Sequence, residues 1–73
     1  MKEKVLEIIN LIRSNKDLKP LIEIKESFKL RDEIEFTSFD LAELTVRIED
    51  EFGIDIFEDG LVVNVGEIFE KLS

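Results

Sequence analysis

Residues 37–53 read TSFDLAELTVRIEDEFG and carry both a period and two end signals. Leu41, Leu44, Ile48 and Phe52 recur at three- and four-residue steps, the spacing that lines up one face of an α-helix. Asp40, Glu43, Arg47, Glu49, Asp50 and Glu51 occupy the other faces. Thr37 suits the N-cap, its hydroxyl reaching the free N–H groups of the first turn, with Asp40 three residues later as the second half of a capping box. Gly53 stands where a left-handed residue commonly closes a helix.

Working outward, Val5, Ile8, Ile9 and Ile12 fall at helical spacing within residues 2–14 and predict a first amphipathic helix. Val65, Ile68, Phe69 and Leu72, after the competent cap Asn64, predict a last one. Between the first two helices the sustained period is lost and the only proline, Pro20, appears. Leu18, Leu21, Ile22, Ile24, Phe28, Leu30, Ile34 and Phe36 are scattered through that stretch and read as anchors of a long loop. Periodicity leaves open a short strand at residues 21–24 or a helical turn. The expected fold is all-α: a small bundle of three to four helices with a long loop after the first.

The 73 residues suffice for one domain only, spanning 1–73. With 44% hydrophobic and 38% charged residues, the composition is that of a globular chain rather than a disordered one. No apolar run approaches the roughly 20 residues of a membrane helix, so no membrane insertion is expected. The start, MKEKVLEIIN, mixes acidic residues into its apolar pattern, unlike a secretory signal. The expected location is the cytoplasm.

Cys and His are both absent, which removes disulfides, thiolate and imidazole metal ligands, and the commonest general base. No base, metal set or phosphate loop for an independent enzyme is visible. Asp55, Asp59 and Gly60 match positions of a calcium-binding loop, but Phe57 and Gly66 stand where two essential ligands belong, so no metal site is expected. The net charge of −8 repels nucleic acid and attracts basic protein surfaces.

Ser38 would be the first helical residue, at the positive end of the helix dipole, a favourable field for phosphate. On spacing alone it is an ordinary first-turn serine. Without His it has no conventional activating base, so it is not a nucleophile in its own right.

The run TSFDLAELTVRIEDEFGIDI, residues 37–56, resembles the central segment of acyl carrier proteins, where a D-S-L motif opens the second helix and an acidic helix ends E-E-F-G-I. Weaker similarity continues through VGEIFEKL and the N-terminal helix. The resemblance implies that Ser38 bears 4′-phosphopantetheine, added from coenzyme A by a phosphopantetheinyl transferase, and that the arm's thiol carries acyl or aminoacyl groups as thioesters. It further implies that Asp40, Glu43 and Glu49 contact basic patches of acyl-loading and acyl-processing enzymes, the carrier acting as a monomer and not as an enzyme. The alternative is a carrier-like acidic interaction module that is never modified.

The sequence departs from the family at four places. Thr37 replaces the usual Asp, at a spot where the family could contact a divalent ion or the transferase. Phe39 replaces Leu. Residues 34–36 read IEF, without the glycine that precedes the family motif, and the segment between Ile56 and Val65 is short. These departures point to a specialised carrier rather than the housekeeping one of fatty-acid synthesis, within the fatty acid, polyketide or specialised metabolite biosynthesis that the resemblance implies. FEDGLVVNV has room for only a turn of a third helix, and the reduced space favours a short or polar cargo.

Overall fold

In a computed structural model describing residues 1–73, the chain forms α1 (Lys2–Ser14), α2 (Ser38–Phe52) and α3 (Val65–Leu72) and no strands. All three helices begin and end within a residue of the sequence expectation. The segment between α2 and α3 holds turns around residues 56–59 in place of a further helix.

The two capping signals are realised in full. Thr37 accepts from the Asp40 N–H while the Asp40 carboxylate accepts from the Thr37 N–H, and Asn64 and Glu67 form the same reciprocal pair at α3. Gly53 closes α2 with φ 72°, a conformation that costs residues with a Cβ.

Fourteen apolar side chains form one core. Val5, Ile8, Ile9 and Ile12 of α1 meet Leu44 and Ile48 of α2 and Val65 and Ile68 of α3. The other six, Ile24, Leu30, Ile34, Phe36, Ile56 and Val62, come from the connecting segments. Three short helices leave a gap that the loops fill, which is why a loop of this length is ordered. The radius of gyration, 11.0 Å, agrees with the roughly 11 Å expected when a chain of this length packs throughout. Ile22 corrects the reading of the anchors: it is 95% exposed, whereas its neighbours Leu21 and Ile24 turn inward.

Ion pairs at opposite ends, Lys4–Glu51 at 3.9 Å and Lys16–Asp40 at 2.7 Å, show that α1 and α2 run antiparallel. The loop is tied to α1 by polar groups as well. Asn10 holds Leu21 with a pair of hydrogen bonds, Nδ2 donating to the carbonyl at 2.9 Å and Oδ1 accepting from the N–H at 2.7 Å. Buried Arg13 donates to the carbonyls of Lys19 and Ile34. Such a guanidinium satisfies both loop ends at once, and no buried side-chain polar atom lacks a partner.

The loop also joins α3. Leu30 N–H donates to Val63 O at 2.9 Å, Val65 N–H to Phe28 O at 3.0 Å, and Gly66 N–H to Glu26 O at 2.9 Å. A Cβ at Gly66 would stand 3.2 Å from Glu26, so the absence of a side chain permits this approach.

Candidate functional site

Ser38 is the first residue of α2 and is exposed. Its position is set from behind. Phe36 is buried in the core, and its N–H donates to Leu30 O at 2.9 Å. Thr37 then turns the chain into the helix. Lys16 fastens this junction to α1, its Nζ donating to Glu35 O at 2.6 Å and to Asp40 Oδ2 at 2.7 Å.

Glu35 takes φ 65°, in the stretch where the resemblance calls for glycine. A left-handed residue with a Cβ costs about 1 to 2 kcal/mol, and the Lys16 bond to its carbonyl and the Arg13 bond to Ile34 O hold it there. The junction thus holds a left-handed residue without a glycine.

Asp40 corrects the sequence reading. Expected on the partner-facing surface, it is only 9% exposed. Its Oδ2 accepts from Thr37 N–H at 2.8 Å, from the Thr37 hydroxyl at 2.9 Å and from Lys16. Burial by itself would raise its pKa, but the hydrogen bonds from Lys16 and Thr37, with the Lys16 charge, outweigh burial and hold it below the ordinary 3.8. This carboxylate builds the junction.

Glu43 and Glu49 remain at the surface. Glu43 pairs with Arg47 along the helix at 2.8 Å, while Glu49 is exposed without an ion pair. Six residues separate them, which places them about 120° apart around the helix. Between the two acidic edges lie Phe39, 88% exposed, and Val46, 67% exposed. The outward face is an apolar ridge flanked by carboxylates. Leu41 is half-buried, packed against the edge of the core.

Leu41 lines a groove that opens beside Ser38. The near hollow, about 250 Å³, is walled by Ser38, Leu41, Ala42 and Thr45 of α2 and by Arg31, Phe57 and Leu61. The Thr45 hydroxyl is spent on Leu41 O at 2.9 Å, leaving this wall chiefly apolar. Arg31, Leu41 and Leu61 are shared with a second hollow of about 290 Å³, where Lys29, Asp32, Val62 and Val63 complete the lining. The two hollows adjoin, with Ser38 lining only the first of them.

The sequence reading missed Arg31, Lys29 and Leu61. The visible signal was a leucine in a Gly-adjacent polar segment, yet only the backbone pairing of residues 28–30 with 63–65 brings it opposite α2. No Asp and Glu side chains cluster as a metal would need. Comparison with protein-family models, with curated proteins and with solved structures found no match.

Proposed function

We propose that this chain is an acyl carrier protein that tethers acyl or aminoacyl intermediates on a 4′-phosphopantetheine arm at Ser38. The observation that carries this reading is the placement of Ser38: exposed at the first turn of a 15-residue helix, on a rigidly fastened junction, at the mouth of an apolar groove. The resemblance of residues 37–56 to the carrier family supports it. The group fits the residues present. A phosphodiester on Ser38 meets the free N–H groups and positive end of α2, and the bound arm would supply the thiol that a chain without Cys lacks.

In this reading the chain supplies the acceptor hydroxyl and the transferase supplies the catalysis. Ser38 Oγ forms its bond to phosphorus as the pyrophosphate of coenzyme A is cleaved; the nucleotide half leaves, and the serine proton passes to a base on the transferase. No hydrogen bond links Ser38 to a basic side chain of its own, so that base comes from the partner. The acid-flanked ridge of Phe39 and Val46 is the surface such enzymes meet, with Glu43 and Glu49 facing their basic patches.

Incubation with coenzyme A and a broad-specificity transferase should raise the intact mass by one phosphopantetheine, and Ser38→Ala should abolish the gain. An unchanged parent mass, or an adduct that persists in the variant, overturns the proposal. The second reading, an unmodified interaction module, draws on the same exposed ridge of Phe39 and Val46, which suits a partner whether or not Ser38 is modified. It predicts that the bare protein binds its partner as well as the modified one.

A further inference from the structure

We infer that Lys16 is a positioning residue for the modification of Ser38, fixing where the hydroxyl stands without touching it. This inference rests on the carrier reading and adds a residue beyond the end of α1 to the machinery of that site. The buried residues of α2 are Asp40, Leu44 and Ile48, at four-residue steps along one face. Leu44 and Ile48 belong to the apolar core, whereas the first of the three is a carboxylate. The turn that carries Ser38 is therefore docked through an ion pair, at a position where the helical pattern would accept an apolar side chain.

Lys16 reaches both sides of Ser38. Its Nζ donates to Glu35 O, three residues before the serine, at 2.6 Å and to Asp40 Oδ2, two residues after it, at 2.7 Å. The two side chains are only 28% and 12% exposed, so solvent screens the pair less than an ordinary surface pair. The capping box of Thr37 and Asp40 starts the helix from contacts within three residues and does not need Lys16. Lys16 adds the long-range part: it ties the helix start to the end of α1 and holds Glu35 at φ 65°, a backbone that local preference would release. A shielded ion pair contributes less net stability than apolar packing of the same volume. What it supplies here is the single arrangement that its donors and acceptors allow.

Transfer to Ser38 needs its Oγ in line with phosphorus, and a misplacement of about 1 Å can cost roughly 100-fold in rate. Lys16→Met should therefore lower the kcat of a broad-specificity transferase by at least about 3-fold and by up to roughly 100-fold. KM for the carrier should stay within about 2-fold of the parent's, because Phe39, Val46, Glu43 and Glu49 are untouched. Lys4→Met cuts the 3.9 Å pair with Glu51 at the other end of the same helices and should leave both constants unchanged. Each variant removes one positive charge, so their difference isolates the junction. Circular dichroism checks folding; were Lys16→Met unfolded, Lys16→Gln, which keeps a donor for Glu35 O, takes its place with the same expectation.

Rescue is read on Lys16→Cys, whose thiol is the only one in a chain without Cys. In urea its thiolate displaces bromide from 2-bromoethylamine, giving a side chain of lysine length that ends in an ammonium. With 1-iodopropane it displaces iodide and gives the same length without the charge. After refolding, the aminoethyl form should run at the parental kcat and the propyl form as slowly as Lys16→Met. A loss below about 3-fold in Lys16→Met, an equal loss in Lys4→Met, a loss expressed in KM alone, or equal rates in the two alkylated forms overturns the positioning role and leaves the carrier reading standing. No gain of mass in the parent overturns the carrier reading and this inference with it.

Discussion

Asp40 Oδ2 gathers three donors at the start of α2, two from Thr37 and one from Lys16. Because these partners depress its pKa in the folded state, its contribution to stability is complete above the unfolded value of 3.8 and is lost as pH falls through the lower folded value. Asp40→Asn should therefore cost about 1 to 2 kcal/mol near neutral pH, the range of a lost cap and a charged hydrogen bond. The gap between parent and variant should close below pH 3.8. Urea unfolding of both proteins from neutral to acid pH measures this. A gap that stays constant with pH would show that the carboxylate charge does not stabilise the junction. At this scale the sequence was half legible. Thr37, Asp40 and Gly53 declared the helix ends locally, but Asp40 also looked like one more surface acid. Only Lys16, 24 residues away, shows that it is not.

At the scale of the element, α2 presents three separate surfaces. Leu44 and Ile48 face the core, Leu41 and Thr45 face the groove, and Phe39 and Val46 with Glu43 and Glu49 face outward. If the outward face meets the transferase, Glu49→Lys should slow modification of Ser38, and Glu43→Lys should do the same. Field effects between exposed charges are screened over about 10 Å at roughly 0.1 M salt. The parent's rate should therefore fall as salt rises, and the variants' rates should respond less. Glu43→Lys also exchanges the Arg47 pair for a repulsion, but such helix pairs amount to only about 0.3 to 0.5 kcal/mol. The helix should survive, as circular dichroism can verify. Parental rates in both variants across a salt titration would assign recognition elsewhere, to the groove or the loop before Thr37.

For the molecule as a whole, six core side chains drawn from loops make the fold depend on long-range closure. Leu44 is fully buried between α1 and these anchors. Leu44→Ala should cost roughly 2 to 5 kcal/mol, against a total of roughly 4 to 11 kcal/mol for a domain of this size. At about 4 to 8 °C per kcal/mol, the thermal midpoint should drop by at least about 8 °C. A midpoint within about 3 °C of the parent's would mean that the loops collapse into the space. No helix is long and apolar enough to cross a membrane, in keeping with an amphipathic pattern that spends its apolar face on this core.

What the sequence determined by itself was local: three helices, their caps, the left-handed stop at Gly53 and the exposed start at Ser38. Each follows from contacts within four residues, where periodicity and capping chemistry act. The tertiary structure decided the rest. It turned Ile22 outward and drew Asp40 inward. It let Glu35 stand left-handed because Lys16 and Arg13 hold its backbone. It also built the groove, whose lining comes from three stretches, residues 29–32, 38–45 and 57–63, assembled where residues 28–30 pair with 63–65. Closure over such separations is fixed by the fit of the whole core rather than by any local pattern, and that is why the groove beside Ser38 was not legible until the chain was folded.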